Sequence, residues 1–113
     1  MSALPLAAAL LLALPGAALA YPCSFTTECY EAEACTAAQF TLDVNIPAKA
    51  LTTEYGDLVI VAVKEIAGLT TLFATGEGAE YLLSITPAAA RLSTHANDGP
   101  QAITYLGTCE GAF

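Results

Sequence analysis

Alternation with a period of two runs through most of the chain. In "QFTLDVNI", residues 39–46, Phe40, Leu42, Val44 and Ile46 fall on one face and Thr41, Asp43 and Asn45 on the other. That is the pattern of a strand with one buried side, and Pro47 ends it. "DLVIVAVKEI", residues 57–66, is instead a continuous apolar run. Its length and branched residues predict a central strand rather than a helix. "LTTLFAT" and "EYLLSIT" flank Gly76-Glu77-Gly78, a hairpin signal. "ARLSTHA" follows Thr86-Pro87, and Asn97-Asp98-Gly99-Pro100 is the strongest turn signal in the chain. "QAITYLGTCE" is the last strand, with Ile103, Tyr105 and Gly107 on the face of Cys109. Ala88-Ala89-Ala90 has helix propensity but is too short to act on it. Ala48–Glu54 carries no clear pattern.

Segments of this length separated by turns predict an all-β fold: an antiparallel meander of seven or eight strands, closed as a small barrel or packed as a two-sheet sandwich.

The first twenty residues stand apart. "MSALPLAAALLLALPGAALA" is an apolar Ala/Leu stretch ending in Ala18-Leu19-Ala20, which reads as a signal peptide cleaved after Ala20. Residues 1–20 are therefore expected as a leader and 21–113 as a single disulfide-bonded β domain. Against this, the leader has no Lys or Arg. The alternative is an uncleaved anchor, for which the run is barely long enough and is interrupted by Pro5, Pro15 and Gly16.

Four cysteines, Cys23, Cys29, Cys35 and Cys109, change the picture further. In a short exported chain they read as two disulfides stapling a core of marginal size. The C-x5-C-x5-C spacing is not that of a zinc site, and no C-x-x-C redox pair is present. In an extended strand Cys23, Phe25, Thr27 and Cys29 fall on one face, because side chains alternate. The preferred pairing is Cys29–Cys35 across the short "YEAEA" loop, with Cys23–Cys109 joining the first strand to the last. The competing pairing is Cys23–Cys35 with Cys29–Cys109. A link from Cys23 to Cys109 closes nearly the whole domain, worth roughly 4–5 kcal/mol in chain entropy.

Eleven acidic residues face only Lys49, Lys64 and Arg91, for a net charge of −8. Such a surface repels nucleic acid and anionic membranes, and it favours cationic partners or simple solubility. His95 is the only histidine. Arg91, Ser93 and His95 share a strand face, with Asp98 nearby, so Arg91, His95 and Asp98 form a candidate binding patch. The bland reading is a solvated strand face. No serine has a nucleophile-elbow context, and no cofactor or ordered calcium loop is present, although Glu28, Glu31 and Glu33 cluster around Cys29. Tyr30, Tyr55, Tyr81 and Tyr105 would make a binding platform, but alternate strand positions place them in or around a core. No enzyme, cofactor or metal is expected.

"CSFTTECYEAEAC" and "STHANDGPQAITYLGTCE" resemble small, uncharacterised exported proteins of alphaproteobacterial type, a resemblance that implies no particular activity. More remotely, an exported β-rich domain with a cysteine near each end is similar to the periplasmic inhibitors of c-type lysozyme. That resemblance implies an eight-stranded barrel and a cationic partner. The inhibitors' Ser-Gly-x-Arg/Lys-Tyr loop has only "AAARLS" here, with Arg91 and no preceding glycine, so no functional residue is carried over.

Two expectations follow. The first is a non-catalytic exported or periplasmic protein that binds a cationic protein or a cell-envelope component. The second is a small-ligand carrier, which requires a cavity not filled by Phe40, Leu42, Val44, Val61, Phe73 and Leu83.

Overall fold

The computed structural model describes residues 20–76 and 78–113. The expected leader falls outside the described residues except for Ala20, which opens the first strand.

Eight strands follow one another: β1 (Ala20–Tyr30), β2 (Thr36–Asn45), β3 (Ala50–Thr53), β4 (Gly56–Ile66), β5 (Leu69–Gly76), β6 (Ala79–Ile85), β7 (Ala90–Ala96) and β8 (Ala102–Cys109). Each pairs antiparallel with its sequence neighbours, and β8 returns to β1, so the meander closes into a barrel rather than a sandwich. Closure leaves no terminal strand to template further pairing.

The alternation read from the sequence is the alternation between lumen and solvent. Leu42 and Val44 of β2, Leu72 and Ala74 of β5, Leu83 and Ile85 of β6, and Ala90 and Leu92 of β7 are buried. They pack with Phe25, Leu51, Leu58 and Ile60 into one core. An eight-stranded barrel is just wide enough for side chains to fill.

The barrel is sewn shut at its seam. Cys23 and Cys109 lie directly opposite on β1 and β8 and form a disulfide, while Cys29–Cys35 closes the short β1–β2 loop. Two positions from Cys109, Gly107 faces Phe25, and a Cβ there would stand 2.6 Å from the Phe25 Cα and collide with the Ser24 carbonyl oxygen. Only glycine lets β8 come this close to β1.

Three expectations need correction. The first strand does not alternate regularly, because the register with both neighbours shifts between Phe25 and Thr27. This bulge keeps Cys23 and Phe25 inside but turns Thr27 and Cys29 outward, opposite Leu106 and Thr104. The run in β4 is not buried on both faces. Val59 is 54% and Val61 63% exposed, and a second bulge at Val61 shifts the register before Ala62. Of the candidate cavity fillers, Leu42, Val44 and Leu83 are buried, but Val61 and Phe73 (47% exposed) point outward.

The two undecided stretches also resolve. Ala50–Thr53 is a four-residue strand. Ala88 and Ala89 lie in a turn, where the Thr86 hydroxyl accepts the Ala88 and Ala89 N–H groups at 3.3 and 3.1 Å. A side chain that bonds the local backbone offers an alternative to helix.

Candidate functional site: the barrel mouth

The two ends of the barrel differ. At one end lie Ala20, the turns 46–49, 67–68 and 86–89, and the Cys23–Cys109 seam. There Tyr21 packs against the core cluster. The opposite end holds the turns 31–35, 54–55 and 97–101 and the closing Gly76↔Ala79 pair of the β5–β6 hairpin. This end is open. A recess of about 720 Å³ enters the barrel there, above the filled core.

Each wall residue is set by its strand. Phe40 of β2 and Tyr105 of β8 form a tilted ring pair, centroids 5.1 Å apart, and Phe25 packs edge-on to Tyr105 at 6.3 Å. Tyr81 of β6 and Thr94 of β7 are cross-strand partners on the lumen side and line the recess. Leu58, nearly buried, also lines it. Gly76 makes room for Leu58, since a Cβ there would run into the Leu58 Cδ2 and lie 3.5 Å from the Tyr81 ring. The β3–β4 turn presents Tyr55, 85% exposed, at the rim. The Thr53 hydroxyl holds that turn, accepting the Tyr55 N–H at 3.1 Å and donating to the Gly56 carbonyl at 2.9 Å.

Glu28 lines the recess as a consequence of the β1 bulge. Without the extra residue, the parity that sends Cys23 and Phe25 inward would send Glu28 outward. With it, Glu28 sits opposite Tyr105 on the lumen side. Burial first, and then the negative charge of Glu28 beside it, push the Tyr105 phenol above its ordinary pKa. At neutral pH the phenol is therefore firmly protonated. At the other end the Tyr21 phenol is likewise raised, by burial and then by Glu65.

The cations are sorted along the barrel axis, whereas carboxylates stand at both ends, with Asp43, Glu65 and Glu110 toward the Cys23–Cys109 end. Glu28, Glu54 and Asp57 line the mouth, with Glu31 and Glu33 in the β1–β2 loop, and Glu80 and Asp98 beside neighbouring turns. Lys49 lies in the 46–49 turn, and Lys64 and Arg91 sit on outward positions near the opposite end. None of the described residues lining the recess is Lys, Arg or His.

The candidate patch on β7 lies elsewhere. Arg91 and His95 share the exposed outer face, as alternation predicts, but four residues separate them, about 13 Å along a strand. Asp98 is exposed in the following turn. His95 lies opposite Glu80, whose carboxylate accepts hydrogen bonds from the Thr75 hydroxyl and the Asn97 amide, both at 3.2 Å. None of the three lines the recess. Among the described residues, no group of three or more His, Cys, Asp or Glu side chains is placed to hold a metal ion.

The sequence placed Tyr55, Tyr81 and Tyr105 in or around a core; Tyr81 and Tyr105 do pack against it while lining the recess, Tyr55 stands exposed at the rim, and Glu28 leaves the cluster around Cys29 to face the lumen. The position of the β1 bulge is the signal that places Glu28. Comparison with protein families, with curated proteins and with solved structures finds no match.

Proposed function

We propose that this is a non-catalytic exported protein, working in the periplasm or outside the cell, that binds a cationic protein or cell-envelope component with the open end of its barrel. The observation that carries this reading is the segregation of charge. Seven described carboxylates and no Lys or Arg lie toward the end with the recess, while at the other end Lys49, Lys64 and Arg91 offset Asp43, Glu65 and Glu110. A cleft lined by one sign of charge focuses the field and steers oppositely charged partners into it.

Two disulfides are consistent with an oxidising, extracytoplasmic location. Exposed Val59, Val61 and Phe73 are confined to β4 and β5, and elsewhere the outer face carries exposed Ser24, Thr41, Asp43 and Arg91, unlike the continuous apolar band of a lipid-facing barrel. This supports a domain that works in water. His95 stands on the outer wall, away from the recess, which supports a role without acid–base chemistry.

Titration with poly-L-lysine, followed calorimetrically, tests the reading. Saturable binding at low salt that weakens strongly between 50 and 500 mM NaCl supports it. No binding at low salt, or binding indifferent to salt, refutes it.

A small-ligand carrier is the second reading, favoured by the size of the recess, about 720 Å³, which falls in the usual range for ligand pockets. It ranks below the first because the lumen beneath is filled by Phe25, Leu51, Leu72, Leu83 and Leu92. A neutral fluorescent apolar probe such as N-phenyl-1-naphthylamine separates the two. The carrier binds it with enhanced emission, and the cation-binding domain does not.

A further inference from the structure

We infer that the recess at the mouth is built to receive the guanidinium group of a single arginine side chain presented by the cationic partner. This rests on the reading above of the open end as the cation-recognising end, and it adds the chemical group and its seat.

The recess combines three features that a guanidinium uses together. Its walls are aromatic, with Tyr81, Tyr105 and Phe40 all half-buried along the lumen. A planar cation is attracted to such ring faces. Glu28 stands among these rings with its carboxylate next to the Tyr105 phenol, and it is half-buried. Among the described residues no cation lines the recess, so a cation that pairs with this carboxylate there comes from a partner. Glu54 and Asp57 at the rim guide a cation inward without occupying the floor.

Guanidinium fits this arrangement better than ammonium. It is flat, weakly hydrated, stacks on rings and meets a carboxylate through paired N–H donors, whereas ammonium holds its water tightly. The apolar stem of arginine then lies against Leu58 and the tyrosine rings. The recess is larger than one side chain needs, which leaves room for the backbone that carries it. The lowered acidity of the Tyr105 phenol works in the same direction, since a protonated phenol keeps its ring neutral across the physiological range.

The test uses the oxidised domain and three heptapeptides, otherwise uncharged and with blocked termini, that differ at one central residue: arginine, its uncharged isostere citrulline, or lysine. The expected result is at least tenfold tighter binding of the arginine peptide than of the citrulline peptide, with lysine between them. Glu28→Gln abolishes most of the arginine preference, while Glu65→Gln at the far end leaves it intact. Near-UV circular dichroism verifies that Glu28→Gln is folded. Tyr81→Leu supplies an independent variant that weakens the arginine peptide severalfold.

Equal affinities for arginine and citrulline overturn the inference, and so does a Glu28→Gln variant that keeps the full preference. Lysine binding as tightly as arginine overturns the guanidinium assignment. Salt-sensitive binding of poly-L-lysine without any arginine–citrulline discrimination sinks this inference but leaves the proposed function standing. Absence of both sinks both.

Discussion

Replacing Gly107 by alanine is the sharpest perturbation of the barrel that a single methyl group can make. Its Cβ would collide with the Ser24 carbonyl oxygen and stand 2.6 Å from the Phe25 Cα and 2.7 Å from the Ser24 carbonyl carbon. These are backbone atoms of the facing strand, so no side chain can swing aside. The seam must part instead, and it carries Phe25, 1% exposed, and Cys23, fully buried. Overpacking a core costs roughly 1–3 kcal/mol, and a collision with backbone belongs at the upper end, about 3 kcal/mol. At roughly 4–8 °C per kcal/mol for a domain of this size, that is a melting temperature lower by roughly 12–24 °C. Far-UV circular dichroism of the oxidised protein reads it directly. Gly99→Ala is the control, since nothing lies within 4 Å of a Cβ there, and its effect stays within about 0.5 kcal/mol. A Gly107→Ala protein melting within about 3 °C of the parent refutes the argument that close approach at the seam selects glycine.

The two disulfides should contribute unequally. In the chain-entropy treatment, the 86-residue separation of Cys23–Cys109 gives about 4.5 kcal/mol and the six-residue separation of Cys29–Cys35 about 2 kcal/mol. Urea unfolding of C23A/C109A and C29A/C35A proteins measures both, and equal losses contradict that treatment. Absorbance titration of the phenols should show late-ionising groups, Tyr105 and Tyr21, with Tyr105→Phe removing one and Glu28→Gln moving one downward. The native pKa of each lies above its unfolded value, so above about pH 10 the unfolded chain releases these protons first. Their contribution to stability is therefore full below pH 10 and is lost as pH rises through the native pKa values. Stability that increases across that window contradicts the assignment.

Much of the fold is legible in the sequence because a barrel repeats one rule. Phe40, Leu42 and Val44 alternate with polar residues, and the structure buries that face. The turn at Asn97–Pro100 and the Cys23–Cys109 and Cys29–Cys35 pairs lie where spacing and turn chemistry put them. Closure itself is not local. A sandwich satisfies the same alternation, and only the β1–β8 pairing distinguishes the two.

The mouth was hidden for a different reason. A bulge is one residue of excess in one strand, and no residue type in "FTTEC" announces it. Yet it reverses the parity of everything after it. It turns Cys29 outward and places Glu28 opposite Tyr105. In β4 an apolar run suggested burial, yet alternation with buried Leu58 and Ile60 turns Val59 and Val61 to solvent, and the second bulge then sets Ala62 opposite the outward Phe73. The β7 patch is a different case. Sharing a strand face did bring Arg91 and His95 to one side, but that side is the outer wall.

The central claim is that cation recognition belongs to the mouth and not to acidic charge at large. Mapping backbone amide shifts of the labelled protein during titration with the arginine heptapeptide tests it most directly. The account predicts saturable shifts confined to Glu28, residues 37–40, residues 53–58, Ala79, Tyr81, Thr94 and Tyr105, the lining of the recess. Shifts spread evenly over the acidic surface, including Asp43, Glu65 and Glu110, would contradict it.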